Sequence, residues 1–258
     1  MSGTRKLFLF VALPLLIVFA IVAYLAFGKN DQNSDKTTES KPSSTASIEC
    51  PALVTPVVAT DVVAILYPGQ VRGGDFKPHG GFGMNNTEDN LVDVKAPLDA
   101  RITSGSRYIE QDELQYMFEF ENDCGLKYRF DHLRTLSAKL QAVADKFPEA
   151  KVDDSRTTEI KGNVTVVAGD IVASAVGFEK SPDDINRRNV GFDFGLYDTR
   201  QKNESAQDSV WVAAHQEDGD QAIYAVCWLD WLPATDAVML KALPGGDGLM
   251  GKTSDYCK

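Results

Sequence analysis

The sequence predicts a mainly β domain, a β-sandwich or partly open barrel with one short helix, preceded by a single transmembrane helix. Two observations carry this prediction. An uncharged apolar run of transmembrane length lies near the N-terminus, and a series of short strand-like segments separated by turn residues fills most of the remaining chain. Apolar residues make up 43% of the 258-residue chain, which is enough for a sizeable core.

The apolar run is Leu7 to Phe27 (LFLFVALPLLIVFAIVAYLAF). A helix of this length crosses the roughly 30 Å hydrocarbon layer of a bilayer. Arg5 and Lys6 precede the run, so the short N-terminus is expected to stay in the cytoplasm. A cleaved signal peptide is the rival interpretation, but a small-x-small cleavage site is hard to find and the run exceeds a usual signal h-region.

These features divide the chain into four parts. We predict a cytoplasmic N-terminus at residues 1–6, a transmembrane anchor at 7–27, a flexible polar linker at 28–49 and an extracytoplasmic domain at 50–258. The linker is rich in Ser and Thr and lacks an apolar period, so it cannot bury enough surface to offset its ordering entropy. The predicted location is therefore the plasma membrane, with a single pass and the domain outside.

The charge of the chain excludes one class of partner. The formal net charge is −11, and because Arg5 and Lys6 precede the membrane run, the remainder carries −13. Such a surface repels phosphate groups, so no nucleic acid partner is expected.

Strand signals follow the linker in close succession. Val57-Val58 and Asp61 to Tyr67 come first, and a Gly-rich turn follows. Gln115 to Glu121 alternates apolar and polar residues and is expected to form a hairpin with Leu126 to Leu133. Further strands are predicted at Leu91 to Ala96, Ala100 to Ile109, Asn163 to Val167, Asp170 to Val176, Asn189 to Tyr197, Val210 to Ala214 and Ala222 to Trp228.

The one predicted helix is Ser137 to Phe147, with Ser137 as its N-cap and Pro148 ending it. Trp211, Trp228 and Trp231, together with Tyr224, are candidates for a sugar platform. Aromatic residues at alternating spacing are more often core residues, which is the interpretation the sequence favours.

Four cysteines, Cys50, Cys124, Cys227 and Cys257, form no CxxC pair, so a thiolate metal site is not expected. An even number in an exported chain favours two disulfides, for which three connectivities are possible. We favour Cys227–Cys257, which would hold the C-terminal tail, and by elimination Cys50–Cys124.

Four segments between Tyr67 and Asp198 carry a resemblance. They are Pro78-His79-Gly80-Gly81-Phe82-Gly83, Val94 to Ile102, Tyr128-Arg129-Phe130-Asp131-His132-Leu133, and Val167 to Ala173 followed by Asn189-Val190-Gly191-Phe192-Asp193. In order and spacing they resemble the lysostaphin/LytM-type zinc endopeptidases, which cleave peptidoglycan cross-bridges. This resemblance implies the duplicated-hybrid-motif β fold and a groove that includes His79, Phe82, His132, Asn189 and Asp193.

The sequence departs from the family at most of its metal-binding positions. His79 matches the first zinc ligand, but Gly83 and Gly191 stand where the other two ligands are expected. His132 matches one catalytic histidine, and Asn189 replaces the other. Because a catalytic zinc ion needs about three protein ligands, no metal, no cofactor and no catalytic residue are expected, with His79 and His132 as vestiges.

A rewired zinc site would need a carboxylate near these histidines, for which Asp75, Asp89, Asp93 and Asp131 are candidates. His215, at a predicted strand end, is expected to be structural. The sequence therefore favours a non-catalytic peptidase-like domain that binds cell-wall peptide, glycan or an envelope protein. The alternatives are a cell-wall hydrolase with a rewired metal site and a purely structural envelope protein.

Overall fold

The computed structural model describes residues 49–85, 88–180 and 188–258, which belong to one compact unit. The predicted transmembrane segment, residues 7–27, lies outside the described residues. None of the helices in the described part is long and apolar enough to cross a membrane.

Strands dominate the described chain, as the sequence predicts. They are β1 (Val62–Leu66), β2 (Gln70–Arg72), β3 (Asp75–Lys77), β4 (Gly80–Met84), β5 (Leu91–Lys95), β6 (Ala100–Glu110), β7 (Glu113–Glu121), β8 (Leu126–Leu136), β9 (Thr158–Glu159), β10 (Thr165–Val166), β11 (Ile171–Val176) and β12 (Gly191–Asp198). The helices are α1 (Ala138–Ala144), α2 (Ser209–Ala214), α3 (Gly219–Tyr224) and α4 (Ala234–Ala242).

Ten strands form one antiparallel sheet, in the order β1-β4-β12-β8-β7-β6-β10. The sheet divides at β8, whose first half pairs with β12 and whose second half pairs with β11. β5 pairs with β11, β9 pairs with β6, and β2 and β3 form a separate hairpin. The predicted β7–β8 hairpin is confirmed.

The core lies on one face of the sheet. Alternate residues of β4 and β12, namely Phe82, Phe192 and Phe194, are almost fully buried and stack on one another. Trp228 closes this cluster, with its ring centroid 4.7 Å from that of Phe82. Because side chains alternate along a strand, the residues between these phenylalanines lie on the opposite face.

The prediction of a single helix is wrong, because the C-terminal part is largely helical. The strand predicted at Val210 to Ala214 is instead α2. The strand predicted at Ala222 to Trp228 instead comprises the end of α3 and the start of a 3₁₀ turn at Trp228–Trp231. The Asp208 carboxylate accepts a hydrogen bond from the Val210 backbone N–H at 2.8 Å and caps α2. Short apolar runs fit both a strand and a buried helix face, so periodicity alone could not separate them.

Other local predictions have mixed outcomes. Val57-Val58 lies outside the strands, while Ser137 caps α1 as predicted. Both favoured disulfides are present, Cys50–Cys124 and Cys227–Cys257.

The C-terminal segment docks on the core. Gly245 bridges in parallel to Ile65 of β1, and Asp255 donates its backbone N–H to the Gly69 carbonyl at 3.1 Å. The Gln70 side chain donates to the carbonyls of Gly251 and Thr253. The tail is therefore held by backbone contacts as well as by its disulfide.

Candidate functional site

The candidate site lies on the sheet face opposite the phenylalanine core, where β4 and β12 are rich in glycine. Gly83 pairs with Gly191, and Gly81 pairs with Asp193. A Cβ atom at Gly81 would lie 3.1 Å from the Asp193 carboxylate oxygen, so this glycine leaves room for the acidic side chain. On this face of β12, Asp193 is consequently the first residue with a large side chain.

Asp193 contacts two histidines from different parts of the chain. Its Oδ2 lies 2.9 Å from His79 Nε2 and 3.9 Å from His132 Nε2. His79 immediately precedes β4, and His132 lies in the middle of β8. Three of the predicted groove residues are therefore brought together at one point.

The contact between His79 and Asp193 is a shielded hydrogen bond. The His79 side chain is 9% exposed and the Asp193 side chain 16% exposed. Since a carboxylate only accepts hydrogen bonds, His79 Nε2 must carry the proton that is donated. Within the described residues, the other ring nitrogen of His79, Nδ1, is buried and has no hydrogen-bond partner.

Charge and burial fix the protonation states of this pair. Burial and the nearby Arg129 guanidinium lower the pKa of His79, although Asp193 opposes the shift. Burial opposes ionisation of Asp193, but the charge that His79 carries when protonated and its hydrogen bond, with the charges of His132 and Arg72, outweigh burial and lower the pKa of Asp193. Asp193 is therefore the carboxylate acceptor, and the lowered pKa of His79 favours the neutral imidazole with its proton on Nε2.

His132 reaches the site because β8 bulges there. Between the pairs Tyr116–Leu133 and Phe118–Phe130, β8 has one residue more than β7. His132 has a φ of +59°, a left-handed conformation that is uncommon for residues other than glycine. Such bulges re-aim side chains, and this one places Asp131 and His132 close to the same cluster.

A polar network surrounds the bulge. The Asp131 carboxylate accepts hydrogen bonds from the Tyr108 hydroxyl at 2.6 Å, from Arg129 at 2.5 Å and from the His132 backbone N–H at 2.9 Å. The Tyr108 hydroxyl also lies 3.3 Å from His132 Nδ1. Burial, followed by the charge and hydrogen bond of Asp131, raises the pKa of Tyr108, so this hydroxyl stays protonated.

Arg72 of β2 holds the other side of the site. Its guanidinium donates to the His79 carbonyl at 3.1 Å and to the Tyr67 carbonyl at 2.9 Å. The hairpin of β2 and β3 is thereby attached to the residue that precedes β4. Arg72 thus fixes the backbone from which the His79 side chain projects.

Two of the predicted groove residues do not meet at Asp193. Phe82 is only 1% exposed and packs in the core against Phe192, so its assignment to the groove is wrong. The alternation of β4 explains this, because Phe82 lies between two glycines that face the site. Asn189 forms a backbone bridge with Phe178, and a Cβ atom at Gly191 would lie 3.8 Å from its side-chain oxygen.

The other acidic and histidine candidates lie in different settings. Asp75 contacts Lys77, Asp89 lies 3.8 Å from Arg188, and Asp93 is exposed on β5. Asp131 is committed to Tyr108 and Arg129. His215 ends α2 rather than a strand, and its ring stacks on Phe76 with 3.9 Å between centroids.

A zinc ion bound in the manner of the resembled peptidases does not fit these residues. Gly83 and Gly191 have no side chain to offer, and His79 Nε2 is engaged by Asp193. Among residues 49–85, 88–180 and 188–258, no three His, Cys, Asp or Glu side chains are arranged to hold a metal ion. We therefore derive no chemical step through zinc.

Sequence reasoning placed Asp193 in the groove but missed its role as the carboxylate between the histidines. The signal was available, because Asp193 follows Gly191 by two residues and must share its face of the strand. No local sequence pattern indicated the hydrogen bonds made by Arg72, Tyr108 and Arg129, because these bonds depend on how distant strands pair.

Comparison with known proteins gives little further information. No protein-family model matches the sequence, and no curated protein is significantly similar to it. Among solved structures, that of Csd3 from Helicobacter pylori, in an orthorhombic crystal, is similar with a TM-score of 0.37 and 10% sequence identity. The match covers 74% of this chain and 39% of that chain.

Proposed function

We propose that this protein is a membrane-anchored, extracytoplasmic protein whose β domain is a non-catalytic relative of zinc endopeptidases, of the duplicated-hybrid-motif type. Its role is binding or scaffolding at the cell envelope. The partners are cell-wall peptide, cell-wall glycan or another envelope protein. The N-terminal run, Leu7 to Phe27, provides the anchor.

One observation supports the non-catalytic part of this proposal above the others. His79, which matches the first zinc ligand of the resembled enzymes, instead donates its Nε2–H to Asp193 at 2.9 Å. This hydrogen bond joins the segment before β4 directly to β12. The pair therefore maintains the arrangement of the site although two of the three expected ligand positions, Gly83 and Gly191, are glycine.

The remaining residues do not compensate for the metal. A histidine general base contributes about 10²–10⁴-fold to a rate, which is far less than amide hydrolysis requires. Of the two arginines whose charges act on His79, Arg129 is bound to Asp131 at 2.5 Å, and Arg72 donates to the backbone carbonyls of Tyr67 and His79. The site is thus better suited to contact a ligand than to cleave it.

A hydrolase with a rewired metal site is the second candidate, and one observation favours it. The Nε2 atoms of His79 and His132 approach the same oxygen of Asp193, at 2.9 and 3.9 Å. Zinc bonds of about 2.0–2.2 Å in tetrahedral geometry separate neighbouring ligand atoms by about 3.3 Å, which lies between these two values. A modest rearrangement would be needed to admit an ion.

The two candidates differ in what they do to cell walls. The full-length protein, purified in mild detergent, is mixed with isolated cell walls, and both retained protein and newly released amino groups are measured. We expect retention without release of amino groups. The comparison variants are His79→Ala/His132→Ala and, as a surface control, Asp93→Asn.

Release of amino groups that disappears in the double variant would establish the hydrolase and overturn the proposal. Failure of the wild-type protein to sediment with walls would overturn the cell-wall partner. Equal retention of wild type and double variant would show that binding takes place away from this site.

A further inference from the structure

Apart from the candidate site, a cavity lies between the sheet and the C-terminal helices. Strands β6, β7, β8 and β12 form its floor, and α3 forms its side. Its volume is about 380 Å³, which is within the range of small-ligand sites. The residues that give it chemical character are Glu119, Lys127, Tyr197, Asp220, Gln221 and Tyr224.

The polar groups of this cavity are held in fixed positions. Glu119 accepts a hydrogen bond from the Ser104 hydroxyl at 2.5 Å and from the Gln221 amide at 3.2 Å. The Tyr197 hydroxyl donates to the Gln221 side-chain oxygen at 3.4 Å. A ligand would therefore meet a preorganised carboxylate, amide and phenol, which lowers the entropy cost of binding.

The side formed by α3 is attached to the sheet independently of this network. Asn203 donates to the carbonyls of Ala222 and Ala225, at 2.7 and 3.1 Å. Tyr197 and Ala225 form a backbone bridge, and Val226 donates its N–H to Leu196 at 3.1 Å. The two sides of the cavity are consequently held at a defined separation.

The charges around the cavity nearly balance. Glu119 and Asp220 are acidic and Lys127 is basic, so the lining carries one excess negative charge. Because the net charge of the lining is small, the cavity offers hydrogen bonds to a ligand and does not strongly favour a charged ligand of either sign. The tyrosines add aromatic surface next to these polar groups, a combination that suits a ligand with an apolar ring face and many hydroxyl groups.

From this lining we propose that the cavity binds a neutral oligosaccharide, with Tyr224 as the stacking surface and Glu119, Asp220 and Gln221 as partners for hydroxyl groups. The inference rests on the proposed role at the cell envelope and narrows it to glycan. It places that contact in a cavity whose lining does not include His79, Asp193 or His132. The tryptophan platform considered from the sequence does not provide it, because Trp228 is fully buried.

The test uses isothermal titration of the full-length protein with two neutral probes, an N-acetylglucosamine tetrasaccharide and a glucose tetrasaccharide. We expect saturable binding of at least one probe. Tyr224→Ala should weaken it about tenfold or more, while Tyr224→Phe, which keeps the ring, should stay close to wild type. Asp220→Asn, at an exposed position, should also weaken binding, and Asp93→Asn on β5 should not.

Thermal melting of each variant separates loss of binding from loss of folding. If Tyr224→Ala melts early, Asp220→Asn decides the outcome. Lack of saturable binding for both probes, or binding that neither variant weakens, would overturn the glycan site. If walls retain the protein while both probes fail, only this inference is lost; if a probe binds through Tyr224 while walls do not retain the protein, the envelope role is lost instead.

Discussion

His79 and Asp193 are joined by a direct hydrogen bond, Nε2 to Oδ2 at 2.9 Å, at the position where the resemblance to zinc peptidases places a metal ligand. The bond connects the segment that leads into β4 with β12, the next strand of the sheet. The contact stabilises the site because it fixes the segment before β4 against β12.

The first prediction concerns the stability contributed by the pair. His79→Gln and Asp193→Asn should each lower the free energy of unfolding by about 1–3 kcal/mol, because each change leaves a shielded partner unsatisfied. A double-mutant cycle by chemical denaturation should give a coupling of about 0.5–3 kcal/mol. Asp93→Asn, at an exposed position, is the control and should change stability by less than about 0.5 kcal/mol. Strict additivity of the two changes would show that the bond contributes nothing.

The second prediction concerns pH. The pKa of His79 is lowered in the folded state, whereas an unfolded histidine titrates near about 6.5. Below that pH the unfolded chain binds a proton that the folded chain resists, so stability falls as the pH drops, by up to about 1.4 kcal/mol per pH unit for one proton. Asp193, with its lowered pKa, adds a further loss only below about pH 3.9.

This pH dependence is measured by urea denaturation between pH 7 and pH 5, with wild type and His79→Gln compared. The variant should lose less stability over this interval, because it lacks the imidazole that must become charged. Parallel pH profiles would show that His79 is not the group responsible.

The third prediction uses the glycine pair of β4 and β12. A Cβ atom at Gly191 would lie 2.9 Å from the Phe82 carbonyl oxygen, whereas at Gly83 the nearest atom would be 3.5 Å away. Gly191→Ala should therefore destabilise the protein by about 1–3 kcal/mol, as overpacking does. Gly83→Ala should be neutral or slightly stabilising, because it restricts the unfolded chain. Thermal unfolding of both variants checks the difference, and a reversed order would contradict the described register.

The fourth prediction concerns the bulge in β8. Because His132 has a φ of +59°, a residue with a Cβ atom is strained there. His132→Gly should be more stable than His132→Ala by about 1 kcal/mol, the reverse of the usual order within a strand. Denaturation of the two variants measures this, and greater stability of the alanine variant would argue against the bulge.

The sequence predicted the β-rich part of the fold well where alternation and turn residues coincide. β7, β8 and the turn at Cys124 follow directly from their apolar periodicity. It failed at α2 and α3, since a five- or seven-residue apolar stretch is compatible with either secondary structure and its choice depends on distant contacts. For α2 these contacts include Phe76 against Trp211 and His215.

The sequence identified the residues of the candidate site better than it identified the hydrogen bonds between them. His79, His132 and Asp193 were recognisable from motif positions, but the hydrogen bond between His79 and Asp193 required the register of β4 and β12. Phe82 was misplaced because a motif match does not reveal which face of a strand a side chain occupies. The alternation of β4 would have assigned it to the core.

The zinc content of the full-length protein decides whether His79 binds Asp193 or a metal ion. The protein is equilibrated with zinc, freed of loosely bound ions by gel filtration and analysed by mass spectrometry, alongside His79→Ala. We expect both proteins to carry far less than one zinc ion per chain. Stoichiometric zinc in the wild type that is lost in His79→Ala would contradict it, because His79 would then bind a metal ion rather than Asp193.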